Sequence, residues 1–221
     1  MDNRAIEIET GANPTASVIV LHGLGASGDD FVPVCEQLEL GAVGPVRYVL
    51  PHAPMRPVTI NNGFVMPAWY DILALGGPAV EDEAGLRASQ DLVDGLIARE
   101  VARGVSPSRI VLAGFSQGCA VALLTGLRHG ERLAGIVGLS GYLPLAAKTA
   151  AERAPANQDT PIFLAHGRFD PMIALPRAVA TRDALRALGY AVQWHDYPME
   201  HSVCPPEIAD LQQFLLQVLK P

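Results

Sequence analysis

The stretch Gly114-Phe115-Ser116-Gln117-Gly118 constrains this chain more than any other. It joins an apolar, strand-like run, Arg109 to Ala113, to a helix-like one, Ala120 to Leu124. A buried strand can enter a helix through so few residues only by a sharp turn, which forces the apex residue into a strained backbone conformation. Glycines two positions to either side remove the side chains that would collide across it. The serine Oγ is then lifted clear of the sheet. The helix behind it aims unpaired N–H groups and a partial positive charge at the place where an acyl-transfer oxyanion would form. The motif alone can arise by chance in a chain with 21 glycines. Its position between an apolar strand and an apolar helix makes it a predicted nucleophile elbow.

The rest of the chain supplies a sheet for that turn. Ser17 to His22, Val46 to Leu50, Leu133 to Ser140 and Ile162 to His166 are near-continuous apolar runs, the pattern of strands buried on both faces. Ala5 to Glu9 alternates apolar and acidic residues, as an edge strand does, and Val192 to Tyr197 is a further strand. Helical spacing appears in Leu86, Leu92, Val93, Leu96, Ile97 and Val101, with Gly104 as the stop. Further helices are expected from the Gly23–Asp29 turn to about Leu40, from about Pro176 to Leu188, and from Pro205-Pro206-Glu207 onward. Alternating strands and helices predict a mostly parallel sheet covered on both faces, as one domain over residues 1–221. The Gly23-Leu24-Gly25 turn lacks the spacing and acidic partner of a dinucleotide site. From His52 to about Glu83 the chain is irregular and rich in proline and aromatics, with Asn61-Asn62-Gly63 as a hairpin signal.

Composition narrows the class of partner. A net charge of −7 with no basic stripe argues against nucleic acid or an anionic membrane as the main partner. Three widely spaced cysteines, Cys35, Cys119 and Cys204, fit free thiols in a reducing compartment better than a disulfide framework or a zinc site. The first residues read as no signal peptide, and no apolar run approaches membrane-spanning length. The expectation is a soluble, cytoplasmic protein without stable membrane insertion.

A serine nucleophile needs a base, and the base an orienting acid. On a sheet of this kind they follow in the order Ser, acid, His at strand ends. Of the downstream histidines, His129 lies at the far end of the elbow helix, His166 precedes the acid, and His195 is inside a strand. His201 alone lies in a loop between the last strand and the last helix. Among the acids, Asp170 directly follows the strand before it, whereas Asp159 is at the wrong end, Asp183 on a helix and Asp196 within a strand. The predicted triad is Ser116, Asp170 and His201. The oxyanion donors expected are the backbone N–H groups of Gln117, at the helix start, and Leu24, in the glycine turn. His22 reads as a structural residue at a strand end.

Several motifs occur together in order: Leu21-His22-Gly23-Leu24-Gly25, Pro51-His52-Ala53-Pro54 with Arg56 to Thr59, Met66 to Asp71, the elbow, and His166-Gly167 with Asp170-Pro171. Across nearly its whole length the chain resembles the small carboxylesterase/acyl-protein thioesterase family of α/β-hydrolases. The resemblance implies the same triad and oxyanion donors, no metal or organic cofactor, and often a homodimer. Two positions depart from the family pattern. Glu200 stands where glycine usually precedes the triad histidine, and Cys119 where glycine is common after the elbow.

The stretch between Ser140 and Ile162 is too short for a cap domain, so an open groove is expected. Its walls are the 53–80 loop and Gly141-Tyr142-Leu143-Pro144, with Trp69 and Tyr142 as pocket residues; the competing reading is that the loop's aromatics only cover the core. The predicted activity is a serine carboxylesterase on short- to medium-chain esters, acting on a small-molecule ester or an acylated protein. An acyl-protein thioesterase or lysophospholipase is the alternative on the same triad, and a non-catalytic binding protein the remote one.

Overall fold

The computed structural model describes residues 5–74 and 81–220. Residues 75–80, part of the wall expected from the 53–80 loop, lie outside them. Strands β1 (Ile6–Glu9), β2 (Ala16–Leu21), β3 (Val46–Leu50), the short β4 (Met55–Val58) and β5 (Phe64–Pro67), β6 (Ile110–Phe115), β7 (Gly135–Leu139), β8 (Ile162–Gly167) and β9 (Val192–Tyr197) alternate with helices. The helices are α1 (Val32–Gln37), α2 (Glu83–Ala102), α3 (Gln117–Arg128), α4 (Ala146–Glu152), α5 (Leu175–Ala187) and α6 (Pro205–Val218).

Among the described residues, seven strands form one sheet in the order β1-β3-β2-β6-β7-β8-β9, with β1 antiparallel to β3 and every other pairing parallel. The two-residue period of a strand divides the apolar runs between two cores. Val18, Val20, Val111, Ala113, Val137 and Phe163 join Cys35 of α1 and Leu211, Phe214 and Leu215 of α6. Ile19, Leu21, Ile110 and Leu112 pack with Leu86 and Val93 of α2 and Ala120 and Leu124 of α3. Farther along that second face, Ile136, Ile162 and Leu164 meet Leu123 of α3 and Leu185 of α5. Runs read as buried on both sides are therefore buried by helices on both sides. This is an α/β-hydrolase fold.

Local departures from the sequence reading have local causes. The helix expected to reach Leu40 ends at Gln37, because Leu38 turns extended (ψ 112°). A separate 3-10 turn, Gly28–Phe31, precedes it, capped reciprocally by Ser27 and Asp30. The irregular stretch contains the β4–β5 hairpin, whose reversal places Asn62 and Gly63 at positive φ (54° and 74°). Between β7 and β8 the chain adds only α4 and a 3-10 turn, where no helix was foreseen. Its alanine-rich run, Ala146-Ala147-Lys148-Thr149-Ala150-Ala151, has the propensity for one. The described residues show no cap domain over the C-terminal edge of the sheet, where β6, β8 and β9 end together.

Candidate active site

β6 ends at Phe115 and α3 begins at Gln117, so Ser116 makes the whole turn, at φ 56° and ψ −115°. Such a conformation costs about 1–3 kcal/mol and persists only where its surroundings impose it. Here they do. The Ser116 N–H donates to the Leu139 carbonyl at 2.8 Å, pinning the turn to β7. A Cβ on Gly114 would lie 2.6 Å from the Cys119 nitrogen, and one on Gly118 would lie 2.7 Å from the His22 carbonyl oxygen. Both positions are restricted to glycine by close backbone approach.

Three strand ends bring three side chains into line. Ser116 Oγ lies 2.9 Å from His201 Nε2, and His201 Nδ1 lies 2.6 Å from Asp170 Oδ2. A carboxylate only accepts, so Nδ1 carries the ring proton and Nε2 is left to accept the serine hydroxyl. Asp170 follows β8, and its side chain is fully buried. Its Oδ1 accepts the amides of Met172 (2.8 Å) and Ile173 (2.9 Å), which leaves Oδ2 for the histidine. His201 comes from the loop between β9 and α6, and the Phe115 ring packs against it at 4.8 Å. This geometry meets the requirements of a nucleophile, a general base and an orienting acid.

The residues expected to supply the oxyanion donors border one cavity. Gln117 occupies the first position of α3, where a backbone N–H has no intrahelical acceptor. Leu24 and Gln117 both line a cavity of about 770 Å³ that has Ser116 and His201 on its wall. Such a volume suits a small ligand or an acyl chain. Tyr142 lines the cavity together with Tyr70, Phe31, Ile173 and Arg177. The Tyr70 and Tyr142 hydroxyls are 2.8 Å apart, and the Arg177 guanidinium lies 3.5 Å over the Tyr142 ring.

Trp69 is a correction. It is fully buried and absent from the cavity wall, and the neighbouring Tyr70 takes the place expected of it. Polar partners account for the difference. The Trp69 indole N–H donates to the His22 carbonyl at 2.8 Å, its backbone N–H donates to Gln117 Oε1 at 2.7 Å, and its carbonyl accepts from the Ser89 hydroxyl. An indole held this way supports the glycine turn from beneath.

The Gln117 side chain was not foreseen. Beyond Trp69 N–H, its Nε2 donates to the Tyr70 carbonyl at 2.6 Å, so both ends of the amide clamp the wall segment to the elbow. Nothing in the motif G-x-S-x-G distinguishes that use from solvent exposure. His22 is structural: Nδ1 donates to the Gly23 carbonyl, Nε2 accepts from Ala53 N–H, and burial holds its pKa below the ordinary value. The Glu200 side chain is exposed. Cys119 is buried between Gly138 and Gly141, and burial pushes its thiol up to about 12, which leaves it unreactive.

A strand-borne serine under strain, a histidine and a buried carboxylate in hydrogen-bonded sequence, and a parallel sheet with helices on both faces define an α/β-hydrolase. The chain belongs to the phospholipase/carboxylesterase family, whose model matches residues 3–219. It is a hydrolase of ester or thioester bonds. Among its relatives, acyl-protein thioesterase 1 of Mycosarcoma maydis is 43% identical over 229 residues, covering 97% of this chain and 95% of that one. Acyl-protein thioesterase 1 of Neurospora crassa is 42% identical over 217 residues, covering 94% and 89%. The crystal structure of Zea mays acyl-protein thioesterase 2 superposes with a TM-score of 0.86 at 28% identity, over 98% of this chain and 99% of that chain.

Proposed function

We propose that the chain is an acyl-protein thioesterase in which Ser116 is the nucleophile, His201 the general base and Asp170 its orienting acid. The Ser116–His201–Asp170 hydrogen-bond sequence carries this reading. His201 takes the serine proton as Oγ attacks the acyl carbonyl. The tetrahedral oxyanion is met by the Leu24 and Gln117 amides, each such donor contributing about 2.7–4 kcal/mol. His201 then protonates the leaving group, and water reverses the sequence on the acyl-enzyme. Asp170 stays ionised throughout and stabilises the imidazolium.

Thioester over simple ester is supported by the names of relatives at about 40% identity across nearly the full chain. The large cavity beside Ser116 supports an acyl group of some length. Small carboxylic esters, the activity expected first from the sequence, are substrates of the same chemistry. Ser116→Ala should lower kcat by about 10⁶-fold on a palmitoylated peptide and on nitrophenyl esters alike. An organophosphate should label Ser116 alone. Labelling that persists in Ser116→Ala would remove the assignment, and a kcat/KM higher on nitrophenyl butyrate than on the acyl peptide would restore the carboxylesterase reading.

A further inference from the structure

A second histidine touches the acid of the proposed triad. His166, near the end of β8, is fully buried, with Nε2 2.8 Å from the Ile173 carbonyl oxygen and 3.4 Å from Asp170 Oδ2. A carbonyl only accepts, so Nε2 carries the proton and Nδ1 is a bare lone pair. That Nδ1 is buried with no hydrogen-bond partner among the described residues. An orphaned buried polar atom costs about 1–3 kcal/mol, which an apolar residue on this strand would avoid. The cost is consistent with Nε2 having a task.

That task is visible in the turn after β8. Asp170 Oδ1 draws in the amides of Met172 and Ile173, while the carbonyl of the same Ile173 is drawn the other way, onto His166. The turn is thus held from both sides of one residue, Ile173. His166 N–H also flanks Oδ2, the oxygen that accepts from His201. A neutral ring is what the place requires, since a cation there would compete with the imidazolium of His201 for one carboxylate oxygen. Burial lowers the pKa of His166 and keeps it neutral.

We propose that His166 is a positioning residue: its Nε2–H, donated to the Ile173 carbonyl and lying beside Asp170 Oδ2, locks the 170–173 turn so that Oδ2 faces His201. The inference rests on the triad reading above.

The test compares His166→Phe, which fills the space without nitrogen, with His166→Gln, whose amide nitrogen reaches the Nε2 position, and His166→Asn, which reaches only Nδ1. Each is made in the parent and in Asp170→Asn, with kcat, KM on a nitrophenyl ester and melting temperature measured. By analogy with outer hydrogen-bond partners of other histidine sites, His166→Phe should lower kcat by about 10–100-fold. KM should stay within about twofold, as for a residue that acts on the transition state alone. His166→Gln should recover most of the loss and His166→Asn should not. In the Asp170→Asn background His166→Phe should add less than about threefold, because the two act as one unit. A full multiplicative loss in that background, or Asn recovering better than Gln, would overturn the proposal. Should His166→Phe fail to fold, the order of Gln and Asn decides. Asp170→Asn or Ser116→Ala at parental kcat would instead remove the triad reading itself.

Discussion

Gly167→Ala is a small change with a consequence that can be worked from the backbone. Gly167 closes β8 opposite Tyr197 of β9, and the loop that carries His201 folds directly over it. A Cβ built there would lie 2.5 Å from the Met199 carbonyl oxygen and closer still to that of Glu200, whereas real Cβ atoms essentially never come under 3.0 Å. Both obstacles are backbone, so no rotamer change relieves them. The loop must retreat by half an ångström or more, yet it is tied down by Phe169 N–H to Met199 O at 3.0 Å and Arg168 N–H to Tyr197 O at 2.8 Å. The displacement therefore passes to His201, one residue beyond Glu200. A misplacement of 1 Å can cost about 10²-fold in rate, so a kcat/KM loss of roughly 10–100-fold is expected. Overpacking should cost about 1–3 kcal/mol of stability as well. Ester hydrolysis and the rate of organophosphate labelling of Ser116 should fall together, with circular dichroism unchanged. A Gly167→Ala protein with parental kcat/KM and labelling rate would refute the reasoning, since it would mean that the His201 loop is free to move without loss of alignment.

Two further outcomes follow from buried groups. Trp69→Ala should cost about 3–5 kcal/mol of stability and scale kcat/KM equally from acetyl to octanoyl esters, because the indole packs in the core; a selective change in acyl-length preference would return Trp69 to the groove. Glu207, fully buried in the first turn of α6 with no side-chain partner among the described residues, is pushed by burial from its ordinary 4.5 up to about 8. The folded protein keeps that proton where the unfolded chain has lost it, so stability should fall as pH rises from about 4.5 to about 8. Glu207→Gln should match the parent near pH 4.5 and exceed it by about a few kcal/mol at pH 8 in urea denaturation; equal stabilities at pH 8 would sink the account.

The alignment of Ser116, His201 and Asp170 was legible because it depends on chain order and strand ends, which apolar runs and glycines mark directly. The two-faced core was legible for the same reason, as unbroken runs such as Ser17 to Leu21 leave no solvent face. What the sequence could not show is which way a loop side chain turns. Trp69 and Tyr70 are adjacent aromatics in one motif, and only the partners at His22, Ser89 and Gln117 decide that the indole turns inward and the phenol faces the cavity. Those partners lie up to 48 positions from Trp69 in the chain. The place of His166 was hidden similarly, since its position before Asp170 said nothing of a turn folding back upon it.

The clamp made by Gln117 divides the groove into a part that belongs to the enzyme's machinery and a part that can be exchanged. Through residue 70 the wall is bolted to Gln117, the residue next to Ser116, so any shift there would be felt at the elbow. Asp71 is fastened to its own neighbourhood instead, to Thr59 through the carboxylate and to Asp82 through the amide. Substrate preference can therefore drift, or be redesigned, by splicing new lengths and sequences after Asp71, while the catalytic half of the same wall keeps its shape.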